Sequence, residues 1–212
     1  TTGSPGPLVL NLSLIGEMEK CQVCYRSGAR PGDLIYVSGT LGDSTAGLEM
    51  TLGKAVRMVP EHREFLLRRH HLPEPRVALG QTLAQSGAVT SMIDLSDGVA
   101  SDLRHICEKS GVSAIIEEAT VPLSMAYRSF CEASNREAIG LALSGGEDYE
   151  LLFTVDPTKV DCIENLSKQE ELPPVCRIGF IQPGPKAQFI EDVTGRRKRL
   201  EAAGFEHFKN EP

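Results

Sequence analysis

With 212 residues, 41% hydrophobic and 24% charged, the chain has an ordinary globular composition and length for one sizeable domain plus a further piece. Its net charge of −7 argues against general nucleic-acid binding, which needs a basic face. It leaves phosphate chemistry open, because Mg²⁺ can reconcile carboxylates with an anionic ligand. No apolar run of about 18 residues and no charged start ahead of an apolar stretch suggest a membrane span or an export signal, so a cytoplasmic location is expected.

Leu8 to Ile15 alternates apolar and polar side chains before Gly16, the period of a strand with one buried face. Cys21 and Cys24 have C-x-x-C spacing, but no second pair completes a zinc site, and reduced thiols are expected for all six cysteines. Glycine, alanine and proline crowd the stretch from Arg26 to Gly32, which marks a domain junction. Leu34-Ile35-Tyr36-Val37 is a short buried strand feeding the turn Ser38-Gly39-Thr40-Leu41-Gly42-Asp43. A helix is expected from about Ser44 to Leu52, with Asp43 as a cap, and another from about Glu61 to His71. His70 and His71 fall in that charged stretch with no partner in view. Pro75 suits the first turn of a helix running to Ser86, with Arg76 placed for a surface ion pair.

Val89 to Ile93 forms a strand that enters Asp94-Leu95-Ser96-Asp97-Gly98, and a helix follows from Val99 to Ser110, stopped by Gly111. An acidic turn before a helix is most often a cap. Two carboxylates three residues apart can also hold hydrated Mg²⁺ with the phosphates it accompanies, beside the free N–H groups of the helix start. Asp102 lies within the helix and is expected at its surface or in a cap rather than on a metal. A strand from Ser113 to Glu117 and a helix from Leu123 to Ser134 come next. The turn Gly145-Gly146-Glu147 frees the backbone to approach a ligand, while Asp148 and Glu150 cap or flank a strand from Tyr149 to Val155. Then follow a helix from Thr158 to Ser167, a strand from Val175 to Ile181, and a hairpin linking Gln188–Ile190 to the residues around Leu200. Arg196-Arg197-Lys198-Arg199 is its expected solvated tip. Neither a Rossmann fingerprint nor a Walker lysine loop appears, and the pattern predicts an α+β fold with helices packed on a mixed sheet.

Three segments are more specific: Arg30 to Ser44, Ile93 to Asp102, and Leu143 to Phe153, which contains Ser144-Gly145-Gly146-Glu147-Asp148-Tyr149-Glu150. Together, in this order, they resemble thiamine-monophosphate kinase, a family of the aminoimidazole-ribonucleotide-synthetase-related superfamily. The resemblance extends to the Gly204-Phe205-Glu206-His207-Phe208 ending, so it covers essentially the whole chain. It implies that residues 29–212 form the C-terminal domain of the aminoimidazole-ribonucleotide-synthetase-like fold. Residues 1–28 would be the last strand and exit of an N-terminal ATP-binding domain, most of which would precede Thr1. Residues 1–212 alone are then not expected to turn over.

The activity so implied is ATP- and Mg²⁺-dependent phosphorylation of thiamine monophosphate to thiamine diphosphate, with ATP as co-substrate, several Mg²⁺ ions, and a homodimer formed through the N-terminal domain. Matched residue by residue to the family's motifs, Asp94 and Asp97 are the Mg²⁺ carboxylates. Arg26, Ser96 and Thr1 meet the nucleotide, and Glu147 and Phe205 meet the acceptor. No residue is singled out as a catalytic acid or base. These residue types suit the tasks: arginine forks onto phosphate oxygens, a carboxylate accepts from the amino-pyrimidine, and an aromatic face attracts a cationic thiazolium. Two other functions compete. One is a related ATP-dependent synthetase that activates a carbonyl or amide oxygen, against which the wording around Glu147 speaks. The other is a thiamine-phosphate-binding module without turnover.

Overall fold

The computed structural model describes residue 6 and residues 10–166 and 171–200; Thr1 and Phe205 lie outside the described residues. In chain order the elements are β1 (Leu34–Ser38), α1 (Asp43–Thr51), α2 (Pro60–His71), α3 (Val77–Ser86), β2 (Val89–Asp94), α4 (Val99–Ser110) and β3 (Ser113–Glu117). They continue with α5 (Met125–Ser134), α6 (Ala138–Ser144), β4 (Leu151–Val155), α7 (Val160–Leu166), β5 (Val175–Gln182), β6 (Gln188–Glu191) and β7 (Arg197–Arg199). The strands form one mixed sheet ordered β2-β4-β1-β5-β3-β6-β7. Every pairing is antiparallel except β3 with β6.

Period-two alternation divides the side chains of this sheet between two cores. Ile35 and Val37 of β1 and Leu152 of β4 pack on one face with residues from α1, α2, α4, α5 and α6. Tyr36, Phe153 and Val155 pack on the other with Leu79 and Leu83 of α3 and Ile163 of α7. Tyr36 and Phe153 are register partners whose rings stack, centroids 5.6 Å apart. Helix α4 shows the local logic most plainly. It buries Val99, Ala100, Leu103, Ile106 and Cys107, one stripe at helical spacing, and its sheet-facing side follows from that stripe. Gly111 then takes a left-handed conformation and returns its N–H to the Cys107 carbonyl, ending the helix.

Three expectations from the sequence are corrected, and one helix is additional. Residues 10–15 form no strand; Leu10, Leu12, Leu14 and Ile15 are exposed, because no described strand offers them a ladder and no apolar face covers them. Residues 138–144, to which the sequence assigns no element, form α6. It starts on the Glu137 carboxylate, which accepts from the N–H groups of Ile139 and Gly140 at 2.8 and 2.5 Å. Pro75 precedes α3 rather than entering its first turn. Arg197–Arg199 pair with β6 as a strand, and the hairpin tip is the turn before them, where Asp192 Oδ1 accepts from the N–H groups of Thr194 and Arg196.

The glycine- and proline-rich stretch after Arg26 is tied down along its length. Met92 donates its N–H to the Tyr25 carbonyl, Gly28 and Ala29 donate to the Ser110 hydroxyl, and Gly32 and Ile181 join through N–H of Gly32 to the Ile181 carbonyl. No helix among the described residues is long and apolar enough to cross a membrane.

Candidate functional site

Register alone gathers the three motif segments. Val37 pairs with Leu152, Asp94 with Leu151, and Ser38 with Val175, so the ends of β1 and β2 and the starts of β4 and β5 share one edge of the sheet. The turns at 39–42, 95–98 and 145–150 therefore meet there, and backbone hydrogen bonds fasten them. Leu95 donates to the Glu150 carbonyl, Tyr149 to Leu95, and Glu147 to Ser96, all at 2.8–2.9 Å. The approach requires glycine: Gly98 has φ +95°, and a Cβ on it would stand 2.6 Å from the Gly145 carbonyl oxygen.

Asp148 joins this pair of turns to the third. Its buried carboxylate accepts from the N–H of Gly42 at 2.8 Å and of Ser44 at 3.1 Å, satisfying orphan donors at the start of α1. Asp148 thus caps α1 across the fold rather than the strand beside it. Asp43, expected as that cap, instead accepts from the hydroxyls of Thr40 at 2.5 Å and Ser124 at 2.6 Å. Burial pushes the Asp148 carboxyl up to about 7; the two N–H groups pull against burial, and Asp43 adds to it.

Such an acid binds its proton more tightly folded than unfolded. It therefore favours the native state below its unfolded pKa, and that contribution is lost as pH rises through about 7. The wild-type unfolding free energy should accordingly fall by about 2 kcal/mol more between pH 5 and pH 7 than that of Asp148→Asn. Urea titrations at the two pH values measure it, and parallel pH dependence in both proteins would remove Asp148 as the cause.

Glu150 and Arg76, expected on a strand flank and a surface pair, form one buried cluster. Arg76 meets Glu150 through Nε and Nη2 at 2.8 and 2.7 Å, Arg69 adds Nη2 at 2.8 Å, and Ser38 Oγ donates at 2.5 Å. Burial alone would raise the Glu150 carboxyl, but these donors outweigh it and hold it below the usual range. A cleft of about 380 Å³ opens beside the cluster, with Phe65, Arg68 and Pro174 in its walls.

Asp94, at the end of β2, is exposed and Asp97 partly so. Neither carboxylate is held by a hydrogen bond or ion pair from another described residue. Asp102 is buried behind them, not at the surface, and its Oδ2 accepts from the Asp97 N–H at 3.1 Å, which is a capping role. Burial, with the facing Asp97 and Asp94 charges, lifts its carboxyl to about 6. Among the described residues no group of three or more histidine, cysteine or acidic side chains could hold a metal by itself. Glu147 projects from the neighbouring turn with φ +65° and Tyr149 has φ +49°. Non-glycine residues held there cost on the order of 1–3 kcal/mol each and cluster at functional sites. Arg26 is exposed on the segment that precedes β1 and is bonded to β2 through Tyr25, and no described ion pair draws it to Asp94 or Asp97. His70, passed over in the sequence for want of a partner, meets both Ser44 and Glu147.

Helices packed on a mixed sheet, with these three turns fastened at one edge, define a C-terminal domain of the AIR-synthase type. The chain belongs to the family described as AIR synthase related protein, C-terminal domain, which it matches over residues 30–192. It is similar to thiamine-monophosphate kinase of Haemophilus influenzae, with 41% identity covering 96% of this chain and 61% of that protein. Among solved structures it resembles thiamine-monophosphate kinase from Stenotrophomonas maltophilia K279a, at 33% identity and a TM-score of 0.73, covering 88% of this chain and 56% of that one. A structure described as AaThiL complexed with AMPPCP and TMP is 32% identical with a TM-score of 0.71, covering 87% and 54%. The chain thus spans less than two thirds of the length of these relatives.

Proposed function

We propose that this chain supplies phosphate- and acceptor-binding turns to a thiamine-monophosphate kinase, which transfers a phosphoryl group from ATP to thiamine monophosphate and yields thiamine diphosphate. The observation that carries this is the convergence of the 39–44, 94–98 and 145–150 turns on one sheet edge, joined by direct hydrogen bonds. The similar structure described with AMPPCP and TMP supports the same pair of ligands here.

Asp94 and Asp97 fit Mg²⁺ by donor chemistry. They are unpaired carboxylates at an accessible turn, and Mg²⁺ needs only one or two protein carboxylates when waters and phosphates complete its shell. When bound, Mg²⁺ would screen the repulsion between two phosphate-bearing substrates. Asp102, kept behind them and bonded to the Asp97 N–H, fixes the turn that presents them. Ser96 stands between the two carboxylates for contact with the nucleotide, and Arg26 would bring a permanent cation toward its phosphates. Thr1 on the nucleotide and Phe205 on the acceptor complete the assignment by resemblance. Cytoplasmic location and homodimer formation belong to the same proposal.

Glu147 is assigned to the acceptor, where its half-exposed carboxylate can accept from an exocyclic amine. Glu147→Ala in the complete gene product should weaken thiamine monophosphate binding roughly tenfold and leave the KM for ATP in place. A rise in the KM for ATP alone would move Glu147 to the nucleotide. The activity itself is tested by incubating the complete gene product with ATP, Mg²⁺ and thiamine monophosphate and resolving the products. Thiamine diphosphate is the expected product. Acceptor binding without ATP consumption would indicate the non-catalytic module, and phosphorylation of an amide or carbonyl compound instead would indicate the synthetase.

A further inference from the structure

Glu147 belongs to a closed ring of contacts that joins three parts of the fold. Next to it, Asp148 holds the N–H of Ser44 at 3.1 Å. The Ser44 hydroxyl lies 3.0 Å from Nδ1 of His70, on the last turn of α2. That same Nδ1 stands 3.4 Å from Oε2 of Glu147, closing the ring. The side chain of His70 is 14% exposed and that of Glu147 52%, so the histidine forms a wall while the carboxylate faces outward. His70 reaches this place because α1 and α2 touch at Gly47. A Cβ on Gly47 would lie 2.7 Å from the His70 Cβ and 2.3 Å from the Leu66 carbonyl oxygen. A substituent there would push the imidazole off the ring of contacts.

We propose that His70 is a positioning residue for the acceptor site. It tethers one oxygen of the Glu147 carboxylate and leaves the other to accept a hydrogen bond from an amine on a planar heteroaromatic ligand. A lone glutamate at a solvent-facing turn samples several rotamers, and holding it in one reduces the ordering cost of recognition. The inference rests on the acceptor-binding reading of Glu147. It goes beyond that reading by naming the group that makes Glu147 selective.

Calorimetric titration of the complete gene product with thiamine monophosphate, and separately with a non-hydrolysable ATP analogue, tests it in His70→Leu, His70→Asn, Glu147→Gln and the His70→Leu/Glu147→Gln pair. His70→Leu should weaken acceptor binding about three- to tenfold with nucleotide binding unchanged. In the Glu147→Gln background the same change should do almost nothing further, since the tethered charge is already gone. His70→Asn can place an amide N–H near the Nδ1 position, so it should recover most of the affinity. It also serves as the readout should the leucine variant fold poorly. Equal effects of His70→Leu in both backgrounds, or a parallel loss of nucleotide binding, would show a merely structural histidine. If Glu147→Gln alone leaves acceptor binding untouched, the assignment of Glu147 falls and the tether falls with it. If Glu147→Gln weakens binding and neither His70 variant does, only the tether falls.

Discussion

Asp94→Asn and Asp97→Asn, each made in the complete gene product, should lower kcat at least ~100-fold while the unfolding transition barely moves. The two halves of that expectation have separate causes. Each carboxylate is accessible and unpaired, so removing its charge breaks no buried contact, and surface changes of this kind stay within about 0.5 kcal/mol. Asp102, buried behind them and facing both, even loses a like charge that now lifts its carboxyl. Stability should therefore hold or rise slightly. The loss in turnover comes from the hard anionic oxygens that a divalent cation between phosphates needs, which an amide replaces with a weaker, neutral donor. Kinetics at graded Mg²⁺ concentrations, paired with thermal unfolding, separate the two effects. Wild-type turnover in both variants at every Mg²⁺ concentration would end the metal assignment. A large drop in unfolding temperature would mean that the turn is structural.

What could be read from the sequence was what depends on near neighbours. The stripe from Val99 to Cys107 and the stop at Gly111 gave α4 its bounds, because a helix buries side chains at a local period and ends on a left-handed residue. The short apolar runs of β1 and β4 were equally plain, and those strands set the edge where the motifs meet. Illegible were the groups whose meaning comes from partners far along the chain. Asp148 caps a helix 104 residues away, and Ser38 donates to Glu150 at a separation of 112. No spacing rule reports such contacts. Leu10 to Ile15 failed for the opposite reason: their alternation is a strand pattern, but a pattern makes a strand only where another strand is present to pair. Helix α6 was hidden because its run is short, contains Gly140, and is capped by a glutamate side chain rather than by one of the usual capping residues. His70 carried no motif at all, and only the close approach of α1 and α2 shows what it touches.

Glu150→Gln should be the most destabilising single change at this edge of the sheet, costing about 3–5 kcal/mol. The side chain is fully buried, and both oxygens are saturated by charged or hydroxyl donors: Oε1 by Arg69 and Arg76, Oε2 by Arg76 and Ser38. Glutamine keeps the shape but offers one oxygen and two N–H groups, so a donor must face a donor and two largely buried guanidinium groups lose their counter-charge. Removing one arginine should cost less, because the carboxylate keeps the other arginine and the serine hydroxyl. Urea unfolding of Glu150→Gln, Arg69→Leu and Arg76→Leu therefore has an expected order, with the glutamine variant lowest. A loss below about 1 kcal/mol for Glu150→Gln would show that water or rearranged arginines replace the missing charge. The consequence reaches the candidate site through the backbone, since the Glu150 carbonyl accepts from Leu95 and Tyr149 donates back to it. A loosened Glu150 thus frees the segment that carries Asp94 and Asp97 as well as the one that carries Glu147. Hydrogen exchange should accordingly quicken at Leu95, Glu147 and Tyr149 in Glu150→Gln before it quickens at the α4 amides, whose protection comes from a separate apolar stripe.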